Sequence, residues 1–110
     1  MADIKGLVDD NGIIFRCGKI LPSQYIQQLL DVLMELEDNE CYKTGNFPKS
    51  KMHKVIGVKN VYRVYIDKIS GWRIHVIYGD DKRIHLCDVL DPSEHDRVLK
   101  SIKSKKGKYK

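Results

Sequence analysis

The chain has no run of about 18 consecutive apolar residues, so no part of it is built to cross a membrane as a helix, and no membrane partner is expected. Its three cysteines, Cys17, Cys41 and Cys87, are odd in number, far apart and without a Cys-x-x-Cys pair. That scatter argues against a disulfide framework and against a zinc knuckle, and reduced thiols are expected. Met1 to Gly6 lacks the basic-then-apolar order of a secretory signal, so the expected location is cytoplasmic. No internal repeat is present, and low complexity is confined to the lysine-rich end. With 110 residues, 42% of them hydrophobic, there is material for one core and not two. A single domain over residues 1–104 is expected, followed by a lysine-rich tail at 105–110.

The net charge of +5 is unevenly placed. Six lysines and no acid fall in residues 100–110, so the remaining 99 residues hold 14 of the 20 bases against all 15 acids. A uniformly basic, nucleic-acid-coating surface is therefore disfavoured. Within the body, residues 1–40 carry eight acids and three bases, whereas residues 41–75 carry eight bases and one acid.

Periodicity gives the elements. Gly12 to Phe15, apolar after the turn signal Asp10-Asn11-Gly12, predicts a strand. Pro22 suits the first position of a helix, and Ile26, Leu29, Leu30, Leu33 and Leu36 follow the spacing of one buried helical face. A helix from Pro22 to about Asn39 is expected, with Gln27, Asp31, Glu35 and Asp38 on its solvated side. A loop containing Gly45, Asn46 and Pro48 follows, and the period then changes to two. Tyr62, Val64 and Ile66, then Trp72, Ile74, Val76 and Tyr78, then Ile84 and Leu86 alternate with polar residues in three strands joined by short turns, an antiparallel meander. These nine residues are the expected core face. Asp91 and Glu94 predict the cap of a last helix reaching about Ser104. The fold class is α+β: an N-terminal strand and an amphipathic helix packed on an antiparallel meander, with a C-terminal helix.

The opposite sheet face carries the candidate chemistry. With the apolar faces in register, Tyr78 is expected opposite Lys82, His75 opposite His85, Arg73 opposite Cys87, Arg63 beside His75 and Tyr65 beside Arg73. Arginine grips phosphate in a fork and stabilises developing charge, histidine moves protons near neutral pH, and tyrosine stacks on a base. Such a set suits RNA better than duplex DNA, because no helix presents a basic strip for the major groove. Alternation alone fits an ordinary polar solvent face better than a functional one. Lys49, Lys51, His53 and Lys54, before the first meander strand, are further phosphate contacts or solvated charge. His75, His85 and Cys87 lack the close-spaced ligand pair of a structural zinc site, so no metal and no cofactor is expected. Cys87 shows no sign of activation as a nucleophile.

The order of elements and three stretches, Phe15 to Leu33, His53 to Ile66 and Ser70 to Tyr78, resemble the RelE/ParE superfamily of toxins from toxin–antitoxin pairs. The resemblance covers roughly residues 12–102. It implies a RelE-like or HigB-like toxin that cleaves messenger RNA in the ribosomal A site by promoting attack of a ribose 2′-OH on the adjacent phosphate, and that a cognate antitoxin silences. The resemblance makes Arg73 the residue that stabilises the phosphate in the transition state, matches Arg63 to a basic position on the preceding strand and puts Lys54 where some relatives place an active-site residue. Joined to the sheet-face reading, the expected catalytic set is Arg73, Arg63, His75 and His85, with Lys51, Lys54, Tyr65 and Arg83 on the RNA, and the implied partners are the antitoxin, the ribosome and mRNA. The chain departs from active relatives after the last meander strand, where they carry an Arg or a His-Tyr pair and it has Asp88 to Ser93; His85, His75 or His95 then stand in for the missing groups. Two alternatives stay open: a non-catalytic, ParE-like inhibitor of a protein target such as gyrase, and a degenerate member that only binds RNA.

Overall fold

A computed structural model describes residues 6–93. In chain order these form β1 (Leu7–Val8), α1 (Ile13–Ile20), a 3-10 turn (Ser23–Tyr25), α2 (Ile26–Leu36), α3 (Asn39–Thr44), β2 (His53–Lys54), β3 (Val61–Asp67), β4 (Trp72–Tyr78) and β5 (Ile84–Leu90). The strands make one five-stranded sheet in the order β1-β5-β4-β3-β2, with β1 parallel to β5 and every other pair antiparallel. Helix α1 packs against β5 and α2 against β3. This is the expected α+β arrangement. The predicted last helix, its Glu94 cap partner and the lysine tail lie outside the described residues; Asp91 accepts from the Ser93 N–H at 2.9 Å.

The N-terminal strand lies earlier than the sequence suggested, and residues 12–15 open a helix instead. An apolar run of four cannot distinguish the two by period. What decides is Asp9, whose carboxylate accepts from the Ile13 and Ile14 N–H groups at 2.7 and 2.9 Å. It satisfies donors that a helix start otherwise leaves open. Ile13 and Cys17, four apart, then bury one face. Pro22 begins a 3-10 turn rather than the α-helix proper.

Helix α2 stops at Leu36, and Asp38, accepting from the Glu40 N–H at 2.9 Å, starts the unforeseen α3, which Gly45 ends at φ 69°. The buried stripe of α2 is Leu29, Val32 and Leu36, joined by Glu35; Leu30, expected in the core, faces out. Glu35, expected on the solvated side, is buried because it has work inside. Its Oε2 accepts from the Lys49 N–H at 2.9 Å, and its Oε1 accepts from the Ser50 N–H at 2.9 Å and the Ser50 hydroxyl at 2.6 Å. Ser50 is itself fully buried, and its carbonyl accepts from the Tyr65 N–H at 2.8 Å. One carboxylate thus ties α2 through the loop to β3.

The core between helices and sheet holds Val64, Ile66, Ile74, Val76, Ile84, Leu86 and Val89, with Tyr62, Trp72 and Tyr78 packed at its margin. All nine expected sheet positions are there. Val89 joins them because β5 runs on to Leu90 past a bulge.

Candidate functional site

On the sheet face away from the helices, β3 and β4 pair as alternation predicts: Arg63 with His75, Val64 with Ile74 and Tyr65 with Arg73. Between β4 and β5 the register differs. Tyr78 pairs with Ile84 and not Lys82, because Lys82, at φ 61°, belongs to a turn in which its N–H bonds the Gly79 carbonyl at 3.0 Å. His85 consequently sits opposite Ile77, two positions from the His75 it was expected to meet. A register shift follows, after which His75 pairs with Asp88 and Arg73 with Leu90, so Cys87 is not opposite Arg73. An inserted residue leaves two side chains in succession on one face. Val89 therefore reaches the core while Cys87 and Asp88 lie on the other side.

The missing member of the site comes from the stretch read as loop. His53 and Lys54 form the edge strand β2, where His53 pairs with Arg63 and Lys54 with Tyr62. A row therefore crosses four strands: His53, Arg63, His75, Asp88. Beside it run Tyr65 and Arg73. The His53 ring lies 5.8 Å from the Tyr65 ring, centroid to centroid, and Arg63 Nη1 reaches the Tyr65 hydroxyl at 3.5 Å. Lys54, paired with Tyr62, takes the opposite side of β2 from His53 by strand alternation. Lys51 is exposed, at φ 52°.

Burial divides this set. Arg73, His75 and Asp88 are 0% exposed, and Tyr65 is 9% exposed, so the face is not the open polar surface that alternation suggested. Arg73 Nη1 donates to the Gly71 carbonyl at 3.2 Å, and Asp88 Oδ1 accepts from the Val89 N–H. Arg63 is half-buried, and its Nε has no hydrogen-bond partner. His53 is exposed. Farther along the face, apolar residues take over: Val61, Ile77 and Cys87 are buried beneath Val55 and Val58 of the loop before β3. Burial pushes the Cys87 thiol up to about 12, with the neighbouring Asp88 charge adding to the effect, so it is no nucleophile.

His85 and Arg83 belong to a separate corner. His85 Nε2 lies 3.0 Å from both carboxylate oxygens of Asp81, and this contact holds the Asp81 carboxyl below its ordinary range. A Cβ on Gly79 would come within 2.7 Å of Asp81 Oδ1 and 2.8 Å of His85 Nε2, so a larger residue there would push this pair out of its present position. A cleft of about 340 Å³ opens at this corner between Lys59, Asn60, Tyr78 and His85. It contains none of His53, Arg63, Arg73 or His75. Among the described residues no group of three or more His, Cys, Asp or Glu side chains is arranged to hold a metal ion, and no helix is long and apolar enough to cross a membrane.

No protein-family model matches the sequence, and no curated protein matches it. A solved structure does: that of the E. coli toxin RelE, a double arginine-to-alanine mutant in the free state, at 20% sequence identity and a TM-score of 0.58, over 94% of this chain and 98% of that one. The chain is thus similar in fold, over nearly its whole length, to a RelE toxin.

Proposed function

We propose that this chain is a RelE-like toxin of a toxin–antitoxin pair, and that it cleaves messenger RNA on the ribosome through the face built from Arg63, Arg73 and the histidine row. The observation that carries the reading is the side-by-side placement of His53, Arg63 and His75, with Tyr65 and Arg73 adjoining, on the side of a RelE-like sheet opposite α1 and α2. Arg63 is half-buried beside the exposed His53, and a guanidinium there can fork onto a phosphate. Arg73 adds fixed positive charge behind it, in surroundings of low dielectric where charge acts strongly. The exposed Phe15, Leu30 and Met34 on the helices suit burial by an antitoxin. The ribosome and mRNA are the remaining partners, and the cytoplasm is where they are met.

Induction in a heterologous bacterial host, followed by mapping of RNA ends, tests this. Growth arrest with new cuts inside translated messages supports the reading; arrest with intact transcripts sinks it. The full burial of Arg73 and His75 favours one alternative, a non-catalytic inhibitor in which these residues are structural. Transcripts would then stay whole while DNA supercoiling or another target activity falls.

A further inference from the structure

Three described histidines lie on this sheet face, and their surroundings separate them. His75 has no exposed surface, and its position opposite Asp88 and Arg63 makes it part of the packed interior. His85 has its Nε2 engaged by Asp81 and sits across from Ile77, away from the arginines. His53 alone is exposed, and it stands at the edge of the row immediately next to Arg63.

Its ring is also oriented. His53 Nδ1 lies 2.9 Å from the Lys51 carbonyl. A carbonyl can only accept, so Nδ1 carries the hydrogen, and in the neutral ring the lone pair is left on Nε2. The Lys51 carbonyl is itself held in place. Lys51 follows Ser50, whose N–H and hydroxyl are bound by the buried Glu35 carboxylate and whose carbonyl is fixed by Tyr65. At φ 52° Lys51 turns the chain sharply from that anchor into β2. The Tyr65 ring flanks the imidazole. The charged or titratable groups facing His53 from the neighbouring strand are Arg63 and Tyr65.

We propose that His53 is the proton acceptor for RNA cleavage at this site, and that Glu35 is a positioning residue that fixes it through Ser50 and Lys51. The inference rests on the reading of the chain as a ribonuclease. In the step, His53 Nε2 takes the proton of the ribose 2′-OH, and the freed oxygen forms a bond to the adjacent phosphorus. The P–O5′ bond breaks, and the departing 5′ oxygen takes a proton from water. The products are a 2′,3′-cyclic phosphate and a 5′-hydroxyl end. Arg63, one strand over, carries the charge that builds on the phosphoryl oxygens.

The experiment is single-turnover cleavage of a defined mRNA in purified programmed ribosomes, with binding to the same ribosomes measured in parallel. His53→Asn keeps a donor for the Lys51 carbonyl while removing the base, so it should bind ribosomes as wild type does yet cleave about a hundredfold or more slowly. His53→Ala should regain part of its rate when imidazole is added. Glu35→Gln should lower the cleavage rate while leaving ribosome affinity within threefold. Cleavage by His53→Asn within threefold of wild type overturns the assignment, as does a loss of cleavage matched by loss of binding and unrescued by imidazole. If wild type itself leaves the mRNA intact, the ribonuclease reading falls and this inference with it.

Discussion

Arg63 and Arg73 stand diagonally on the same sheet face, with Tyr65 and His75 at the other two corners of the pairing pattern, yet they differ in what they can reach. Arg73 is fully enclosed, whereas Arg63 is half-buried beside the exposed His53. Arg63→Ala should therefore slow cleavage on programmed ribosomes by about a hundredfold to a thousandfold, the usual effect of removing one donor to a developing oxyanion. Arg63→Lys should recover only part of this, since an ammonium cannot fork onto phosphate. A rate for Arg63→Ala within threefold of wild type would contradict the role. The cysteines give a second expectation at this scale. Burial raises the Cys17 thiol to about 11 and the Cys87 thiol to about 12, from an ordinary value of 9.0. Folding thus favours the protonated thiols. Below pH 9 both states hold these protons and stability is unaffected; as pH rises from 9 towards 11–12 the unfolded thiols ionise first, and stability falls. Urea midpoints for wild type should drop between pH 8.5 and 10.5 by more than those of a Cys17→Ala/Cys87→Ala variant. Equal drops would show that these thiols are not the cause.

At the scale of elements, the loop between α3 and β2 is fixed by a single side chain. Glu35→Ala removes the acceptor for the Lys49 and Ser50 N–H groups and for the Ser50 hydroxyl, all near or within the interior. Leaving buried donors unsatisfied costs about 1–3 kcal/mol each, so a loss of roughly 2–4 kcal/mol is expected by urea denaturation, against less than about 1 kcal/mol for the exposed Glu37→Ala. A Glu35→Ala loss below about 0.5 kcal/mol would contradict the latch. The same segment shows why some elements were legible and others not. The meander announces itself because Val64, Ile74, Val76, Ile84 and Leu86 repeat with period two over one buried face. A bulge erases that signal, since one inserted residue near Cys87 reverses the side of everything after it. The two-residue β2 is too short to have a period, and α1 was hidden because its cap, Asp9, lies outside the apolar run it starts.

At the scale of the whole molecule, the basic stretch from residue 41 to 75 contributes most of α3, all of β2 and β3 and the first half of β4, so its eight bases are spread over helix, loops and strands and only Arg63 and Arg73 among them lie on the candidate face. Alternation identified Arg63, Tyr65, Arg73 and His75 as one face, which the fold bears out. It could not show that Arg73 and His75 are enclosed, because enclosure depends on what packs over a face and not on which way its side chains point. Nor could it bring in His53, which reaches Arg63 only through a non-local strand pairing that a buried carboxylate on α2 holds in place. The candidate site is thus smaller than the sequence implied on the His85 side and larger on the β2 side. The most direct test of the account is the chemistry of the RNA ends left by the purified wild-type chain on mRNA in programmed ribosomes. The account predicts cuts bearing a 2′,3′-cyclic phosphate on one fragment and a 5′-hydroxyl on the other. Intact mRNA, or cuts bearing 5′-phosphate and 3′-hydroxyl ends, would contradict it.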